Sequence, residues 1–308
     1  MRTTEAARGK WFGILTSLGV GEKFLKNVGG PCPICGGTDR FRFDNKEQRG
    51  TWYCNNCDPR SGDGMSLAMN FTGLGFKELA QRIDQMVGNI SADTNQQIKP
   101  KTDPRARLNA ISKRLQPCKT RNPVTDYLMS RNVAFSDSVR FSPSEKYFDQ
   151  GKVVGTFPAM VNKVFDKDGN PASLHLTYLT KDGSKANVKS PKKLMPPSRD
   201  WTGGAIRLFP ECQRLGIAEG VETALAATKL FGVYTWSAVS STRLEQFEPP
   251  EIVQELHIFA DNDESFEGQR AAFSLASRLK KTRNINVIIH CPDQVGTDYA
   301  DLIQGMPK

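Results

Sequence analysis

Two pairs of closely spaced cysteines constrain this chain more than any other feature of its sequence. Cys32-Pro-Ile-Cys35 and Cys54-Asn-Asn-Cys57 are C-x2-C pairs separated by 18 residues, a spacing typical of a two-knuckle zinc site. Each pair brings two thiolates together from one tight turn, and zinc favours four thiolates in a closed, structural tetrahedron. We therefore predict a zinc ribbon in which these four cysteines are the ligands.

The residues between the knuckles alternate in polarity, which predicts the two strands of a β-hairpin. Its outer face is expected to carry Arg40, Arg42 and one aromatic side chain, either Trp52 or Tyr53. Aromatic rings beside basic groups suit the bases and phosphates of single-stranded nucleic acid. The same aromatics are equally compatible with a purely structural role in covering the small ribbon, and the sequence leaves both interpretations open.

The rest of the composition limits the class of protein. The apolar runs are strand-sized, so no membrane span is predicted, and residues 1–10 lack the apolar segment of a signal peptide. We therefore expect a cytoplasmic location and no membrane partner. Seven cysteines in that setting argue against a disulfide framework. Cys118, Cys212 and Cys291 have no partner at C-x2-C spacing and are expected to be ordinary thiols.

The charge is distributed unevenly along the chain. The net charge is +9 overall, with +11 over residues 91–207 and −5 over residues 208–308. A basic region beside an acidic one suits an enzyme that binds polyanions and divalent metals. A solvated basic surface accounts for the charge alone about equally well.

Four segments follow from the pattern of residues. Residues 1–89 form the predicted zinc-binding domain, with an amphipathic helical segment near 11–28 and a helix over about 65–87. Residues 90–107 are polar and aperiodic and are predicted to be a linker. Residues 108–212 form a basic subdomain at the start of the core, and residues 213–308 form a separate domain.

Strands alternate with helices in the last segment, which predicts a mainly parallel sheet flanked by helices. The overall fold class is therefore α+β and α/β multidomain, with an N-terminal zinc ribbon. The predicted strands are Leu215–Glu219, Val233–Ser237, Leu256–Ala260 and Asn286–His290, and the predicted helices are Glu222–Leu230, Gly268–Lys280 and Tyr299–Ile303.

Carboxylates follow the ends of these predicted strands. Glu219 is the last residue of the first, Asp261 and Asp263 follow the third, and Asp298 lies beyond the last. Ligands collect at the carboxyl ends of strands in open α/β sheets, and carboxylate oxygens are the ligands that Mg²⁺ prefers. The pattern predicts a magnesium or manganese site at this edge, where the three acidic loops converge.

These acidic motifs resemble a known domain. Glu219-Gly-Val-Glu-Thr-Ala-Leu225, Asp261-Asn-Asp263 and Asp298-Tyr-Ala-Asp301 are similar to the three acidic elements of Toprim domains, which occur in primases, topoisomerases and some nucleases. The resemblance implies that Glu219, Asp261 and Asp263 are catalytic and that Asp298 is a further metal ligand. The family usually has a glycine soon after its D-x-D, whereas four residues precede Gly268 here, so the loop is slightly longer.

The N-terminal block resembles the zinc-binding domain of primases. Pro31–Asp44, with Gly50-Thr-Trp-Tyr-Cys54 and Gly62-Asp-Gly64, is similar to the zinc-binding domain of satellite-phage and related phage primases. Relatives of that kind usually continue into a helicase. The present sequence contains no G-x-x-x-x-G-K-[ST] phosphate loop, so we expect no motor activity and a helicase partner acting in trans.

The basic subdomain holds a lysine-rich stretch over residues 181–193. A primase needs cations beside its metal centre for template backbone and triphosphates. The candidates for that role are Lys185, Lys189, Lys192, Lys193 and Arg199. A flexible, solvated loop is an equally good interpretation for any one of them.

Together these features predict a DNA primase that makes short RNA primers from ribonucleoside triphosphates on single-stranded DNA. One alternative is a non-catalytic recombination mediator, because some mediators also join a four-cysteine zinc module to a Toprim domain. Another is a Toprim nuclease. A topoisomerase is disfavoured, because 308 residues leave no room for strand-passage gates.

Overall fold

The computed structural model describes residues 3–88, 90, 103–149 and 152–304. The chain divides into two compact units, one made of residues 1–100 with 150–152, and the other of residues 101–149 with 153–308. Within the described ranges, every helix is too short or too polar to cross a bilayer.

The first unit is a four-stranded antiparallel sheet with four α-helices. Its sheet has the order β1-β2-β3-β4. Its elements are α1 (Thr3–Ala6), α2 (Trp11–Ser17), β1 (Gly30–Cys32), β2 (Gly36–Phe43), β3 (Trp52–Cys54), β4 (Ser61–Gly62), α3 (Gly64–Thr72) and α4 (Phe76–Val87). Strands β2 and β3 are antiparallel neighbours, which confirms the predicted hairpin.

Apolar side chains from the ribbon and the helices share one core. The Trp52 ring stacks on Phe41 with centroids 5.9 Å apart, and Trp11 is buried with them. A Cβ atom at Gly64 would lie 2.1 Å from the Trp11 ring, so only glycine fits where α3 begins. The helices therefore extend a core that is too small in the ribbon alone.

The prediction of a single helix over about 65–87 is wrong. Helix α3 ends at Gly73, which has a left-handed backbone with φ of 72°, and α4 begins after Gly75. Glycine adopts positive φ without steric penalty, so it commonly ends helices. The amphipathic segment near 11–28 is likewise helical only over α2.

Sixteen further elements are described from residue 104 onward. They are α5 (Pro104–Ser112), β5 (Gln116–Pro117), α6 (Pro123–Ser130), β6 (Arg140–Asp149), β7 (Lys152–Phe165), β8 (Pro171–Tyr178), β9 (Lys192–Leu194), β10 (Ala205–Ile206), β11 (Arg214–Ala218), α7 (Val221–Phe231), β12 (Thr235–Ser237), α8 (Ser241–Gln246), β13 (Glu255–Phe259), α9 (Glu267–Thr282), β14 (Asn286–His290) and α10 (Tyr299–Gln304). Much of the predicted linker lies outside the described residues, and α5 begins within its last part.

Ten strands form one mixed sheet in this second unit. Strands β14, β13, β11 and β12 are parallel neighbours in that order. Antiparallel strands continue the sheet from β10 to β7, and β8 and β9 are attached to β7. The predicted fold class is confirmed, and parallel pairing is confined to the strands that alternate with helices.

Helices cover both faces of the parallel strands. Helices α7 and α10 contribute to a core on one face, and α8 and α9 contribute to a core on the other. Central strands such as β11 and β13 are therefore buried on both sides, which explains their continuous apolar sequences. The carboxyl ends of these strands form one edge, which we call the acidic edge after the carboxylates described next.

Candidate functional site

The four cysteines of the ribbon converge on one point. Their sulfur atoms all lie within 4.8 Å of one another, and the Cys32–Cys57 and Cys35–Cys54 sulfurs are each 3.6 Å apart. A tetrahedron with Zn–S bonds of about 2.3 Å has edges of about 3.8 Å, so the spacing fits zinc. Among the described residues, this is the only group of three or more possible ligands gathered closely enough to hold a metal ion.

Backbone amides stabilise the thiolates of each knuckle. The amides of Ile34 and Cys35 donate to the Cys32 sulfur at 3.4 and 3.5 Å. The amide of Asn56 donates to the Cys54 sulfur at 3.5 Å. Such donors favour the charged form of the ligand, so the two turns are arranged to hold thiolates. The ribbon is a structural zinc site, as the sequence predicts.

The outer face of the ribbon carries a tyrosine rather than a tryptophan. Trp52 is only 2% exposed, and its indole N–H donates to the Ser66 hydroxyl at 3.0 Å, so Trp52 belongs to the core. Tyr53 is 47% exposed and lies directly opposite the exposed Arg42 on the neighbouring strand. Of the two aromatics left open by the sequence, Tyr53 is the one available at the surface.

Glu219 occupies the turn between β11 and α7. Its carbonyl oxygen accepts hydrogen bonds from the Ser237 hydroxyl at 2.7 Å and the Val239 amide at 2.8 Å. These contacts tie the turn to the end of the neighbouring strand β12. Burial, together with the negative charges of Asp263 and Glu267, raises the pKa of Glu219 to about 7.

The D-x-D loop follows β13 and packs against the start of α9. The Gly268 amide donates to Asp263 Oδ2 at 2.9 Å. A Cβ atom on Gly268 would lie 2.6 Å from the Asp261 carbonyl oxygen, so this position requires glycine. The longer loop therefore still brings Gly268 against both aspartates. The additional residues between the D-x-D and the glycine include residues 264–266, which are exposed to solvent.

Asn262, the middle residue of the D-x-D, joins this loop to the segment before α10. Its side-chain amide donates to the Pro292 carbonyl at 2.8 Å. Its backbone N–H donates to the Thr297 carbonyl oxygen at 3.1 Å, and its own carbonyl oxygen accepts from the Gly296 amide at 2.6 Å. The loop that carries Asp261 is thus attached to the segment that leads to Asp298.

Asp298 is held in place by both of its side-chain oxygens. Oδ1 accepts from the Asp301 amide at 2.9 Å, and Oδ2 accepts from the Thr223 hydroxyl at 3.0 Å. The first contact caps the start of α10, and the second reaches α7. Asp298 therefore has a structural role whether or not it also binds metal.

The electrostatics of Asp261 show that these carboxylates share one region. Burial, followed by the negative charges of Asp298, Glu219 and Asp263, raises the pKa of Asp261 to about 7. Its Oδ1 atom is buried, and no described residue offers it a hydrogen bond. An unsatisfied, buried carboxylate oxygen among other carboxylates favours a cation.

Glu222, the second glutamate of the motif that contains Glu219, has a lowered rather than a raised pKa. Glu222 Oε2 lies 2.8 Å from Lys192 Nζ, and Oε1 accepts from the Tyr127 hydroxyl at 2.7 Å. Burial alone would raise the pKa of Glu222, but the Lys192 charge and the two hydrogen bonds lower it to about 2. Glu222 is therefore an ionised partner of Lys192, a contact that the sequence analysis did not identify.

Only some of the five predicted cations lie near the carboxylates of the acidic edge. Lys192 lies close enough to the acidic edge that its charge lowers the pKa of both Glu219 and Asp261. Desolvation lowers the pKa of Lys185, and the opposing charges of Glu222 and Asp298 also act on it. Lys185 and Lys192 are thus neighbours of the carboxylates.

The other predicted cations are placed differently. Lys193 lies on the opposite face of β9, with its ammonium 4.9 Å from the centre of the Tyr147 ring. Arg199 pairs with Asp166 at 3.4 Å, in the turn between β7 and β8. Lys189 is exposed. Lys193 and Arg199 therefore contact groups other than the carboxylates of the acidic edge.

Comparison with known proteins assigns domain families to the ribbon and to the acidic edge. Residues 27–65 match the zinc-binding domain of primase-helicase, and residues 214–306 match the Toprim domain. Residues 102–208 match a domain of unknown function (DUF7146). The protein is therefore of the class that joins a primase-type zinc ribbon to a Toprim domain, and in domain content it resembles a phage primase.

Solved primase structures show a distant likeness. A DNA primase domain from Pseudomonas aeruginosa is 15% identical with a TM-score of 0.36, and the alignment covers 53% of this chain and 52% of that one. This chain thus spans about half of that domain's length. The DnaG catalytic core is 14% identical with a TM-score of 0.44, over 65% and 74% of the two chains.

The primase fragment of the bacteriophage T7 primase-helicase is aligned over more of this chain. The alignment covers 90% of this chain and 93% of that fragment, with 14% identity and a TM-score of 0.36. The domain assignments themselves rest on the family matches.

Proposed function

We propose that this protein is a DNA primase, a DNA-dependent RNA polymerase that makes short RNA primers on single-stranded DNA. The observation that carries the proposal is the acidic edge. Asp261 has a buried oxygen without a hydrogen-bond partner among the described residues, other carboxylates surround it, and the Lys192 ammonium is close by. Such a combination suits metal-assisted transfer of a nucleotide, with cations to bind its phosphates.

The donor set of the acidic edge fits magnesium or manganese. Asp261 and Asp263 would hold the ion, with Glu219 and Asp298 near it. Mg²⁺ commonly takes one or two carboxylates together with substrate phosphates and water, so these carboxylates need not be gathered as tightly as the thiols of the ribbon. When bound, such an ion would stabilise negative charge on the phosphoryl oxygens and the leaving pyrophosphate.

Glu219 is suited to move a proton. A carboxyl group with a pKa of about 7 can be deprotonated at neutral pH and still accept a proton. That match between pKa and pH is what general base catalysis requires. Glu219 would accept the proton of the primer 3′-hydroxyl as it attacks the incoming ribonucleotide.

The cations near the edge would bind the triphosphate. Lys192 and Lys185 lie beside the carboxylates, so they are suited to phosphate oxygens that are also bound by the metal. Lys193 and Arg199 contact Tyr147 and Asp166 instead, and any role they have is expected to be with the template backbone.

The ribbon would contact the single-stranded template. Tyr53 and Arg42 are exposed side by side on its outer face, and an aromatic ring next to a cation can stack on a base while the cation binds phosphate. A replicative helicase acting in trans stays a prediction from the sequence.

A single assay separates this function from the alternatives. The protein is incubated with single-stranded DNA, labelled ribonucleoside triphosphates and Mg²⁺, and both RNA and DNA products are resolved by length. New short RNA supports a primase. Shortened DNA without RNA would point to a nuclease, and a mobility shift without either product would point to a recombination mediator.

A further inference from the structure

Glu222 is a buried carboxylate with two hydrogen-bond partners of its own. It lies in the first turn of α7, one turn beyond Glu219, and is 2% exposed. Its two oxygens contact the Lys192 ammonium and the Tyr127 hydroxyl. The two glutamates of one motif therefore differ, because Glu219 lies among carboxylates whereas Glu222 is paired with a cation.

The pair bridges separate parts of the second unit. Lys192 is in β9, Glu222 is in α7, and Tyr127 is in α6. Helix α6 is fixed by a capping box in which Asn122 accepts from two backbone amides and Pro123 occupies the first turn, so Tyr127 is firmly placed. A buried ion pair is weak evidence for stability, because well-packed apolar side chains often serve as well. A role in placing Lys192 accounts for the pair better.

The Lys192 side chain is only partly covered. It is 40% exposed, and its Cα atom lies opposite Thr177 of β8. His175, two residues before Thr177, is almost fully buried, and its burial and the Lys192 charge lower its pKa to about 4, so it adds no competing positive charge at neutral pH. The Lys192 side chain is thus paired with Glu222 through its ammonium and is still partly open to solvent, as a residue that binds a ligand must be.

A lysine side chain has four rotatable bonds, so it loses conformational entropy when it is ordered by contact with a phosphate. That loss subtracts from the affinity that the contact provides. An ammonium that already donates one hydrogen bond to a buried carboxylate has two more N–H donors for a ligand. Its side chain is already ordered before the ligand binds. Preorganised charges of this kind are effective in binding and catalysis.

We propose that Glu222, oriented by Tyr127, is a positioning residue that holds the Lys192 ammonium at the acidic edge to bind a phosphate group of the incoming nucleotide. This inference rests on the proposed function, in that it assigns Lys192 to the triphosphate of the same reaction. Glu222 itself contacts neither metal nor substrate and acts only through Lys192.

A double-mutant cycle tests the proposal. Glu222→Gln, Lys192→Met and the double variant are compared with wild type in primer synthesis, with kcat and KM for the ribonucleotide measured separately. Hydrogen bonds to charged groups are typically worth about a tenfold change or more in affinity. We expect Lys192→Met to raise KM at least tenfold, Glu222→Gln to raise it several-fold, and the double variant to match Lys192→Met.

A purely structural Glu222 gives a different pattern. Glu222→Gln would then lower the melting temperature without changing KM, or its effect on KM would multiply with that of Lys192→Met, and either result overturns the proposal. Tyr127→Phe should raise KM in the same direction as Glu222→Gln but less. Lys181→Met, an exposed lysine in the same lysine-rich stretch, is the matched control and should leave KM unchanged.

Two further measurements keep the test decisive. Lys192→Met leaves the Glu222 charge buried without its partner. If that variant does not fold, the comparison of Glu222→Gln with wild type decides alone, since an unchanged KM contradicts the proposal. If wild type makes no primers, the proposed function fails, and the Kd of a ribonucleoside triphosphate in Mg²⁺ replaces KM. Weaker binding by Glu222→Gln would then still support the positioning role, and equal binding would refute it.

Discussion

The zinc ribbon and the acidic edge, which we propose as a second metal site, are built in opposite ways. The ribbon takes its ligands from two tight turns within 26 residues, and its sulfur atoms already lie within 4.8 Å of one another. The acidic edge takes its carboxylates from three separate segments between Glu219 and Asp298. Closely packed thiols are typical of a structural metal site, whose metal stabilises the fold. More widely spaced carboxylates are typical of a site in which substrate phosphates and water supply the remaining ligands of the metal.

The groups that surround the metal ligands also differ between the two sites. Backbone amides donate to the sulfur atoms of Cys32 and Cys54, while burial raises the pKa of the Cys32 thiol, so a bound cation is needed to hold Cys32 as a thiolate at neutral pH. At the acidic edge, Glu219 and Asp261 have raised pKa values because they are buried among other carboxylates. We therefore expect the ribbon to need its metal to fold and the acidic edge to fold without one.

The largest expected effect follows from removing a zinc ligand. Cys54→Ser should abolish stoichiometric zinc binding and unfold the ribbon, because structural zinc supplies on the order of 10 kcal/mol to small domains. Metal analysis and circular dichroism of the purified variant measure both changes. Cys212→Ser, which replaces a thiol outside the ribbon, is the control. Full zinc content in Cys54→Ser would show that the ligand set is wrong.

Removing one carboxylate from the acidic edge should affect chemistry and leave the fold intact. Asp261→Asn and Asp263→Asn should each reduce the rate of primer synthesis roughly 100-fold or more, because metal-assisted transfer gains several kcal/mol from the ion. Glu264→Gln, an exposed residue of the same loop, is the matched control for charge. Near wild-type rates in both aspartate variants would place the chemistry elsewhere.

The pH dependence of stability should distinguish Glu222 from the other acids. Glu219 and Asp261 have ordinary pKa values of 4.5 and 3.8 and folded values of about 7, so the folded state retains protons that the unfolded chain has lost. Without Mg²⁺, stability should therefore fall as pH rises from about 4 to about 7. Asp261→Asn should flatten that decline in thermal melts, and an unchanged slope would contradict the raised pKa.

Glu222 contributes in the other direction. Its folded pKa is about 2 against an ordinary value of 4.5, so the stability it provides is fully present above about pH 4.5 and is lost as pH falls toward 2. Glu222→Gln should reduce the acid sensitivity of the second unit over that range. Equal acid denaturation curves for the variant and wild type would show that the ion pair with Lys192 is not formed in solution.

The smallest expected effect concerns binding of single-stranded DNA or nucleotide. Removing one cation that binds a phosphate should reduce the slope of log affinity against log salt by about one. Lys185→Ala and Lys192→Ala should show that reduction for triphosphate binding. Lys193→Ala should show less, because its ammonium contacts Tyr147. Equal reductions for all three would favour a diffuse basic surface over a defined site.

The ribbon was predictable from sequence because its chemistry is local. Four cysteines at fixed spacing determine ligands, metal and hairpin together. The parallel strands were also predicted to within about two residues, since each is a short, largely apolar run in a segment where strands alternate with helices. The helix over 65–87 was predicted wrongly, because a periodic apolar pattern continues across the break at Gly73, where the left-handed backbone ends α3.

The contacts of Glu222 could not be predicted because they are not local. Lys192 is 30 residues away in sequence, and Tyr127 is 95 residues away. The motif that contains Glu219 and Glu222 shows two acids at helical spacing, but only the packing of α6 and β9 against α7 reveals which one is paired. Likewise, the register of β8 and β9 decides that Lys192 and Lys193 face opposite sides.

The most direct test of the central claim is a titration with Mn²⁺, a spectroscopic substitute for Mg²⁺, followed by electron paramagnetic resonance of the zinc-loaded protein. We predict that wild type binds Mn²⁺ and that ribonucleoside triphosphate tightens the binding. Asp261→Asn should lose most of that binding while keeping its zinc, and Glu264→Gln should keep both. Equal Mn²⁺ binding by Asp261→Asn and wild type would contradict the claim that the acidic edge is the catalytic metal site.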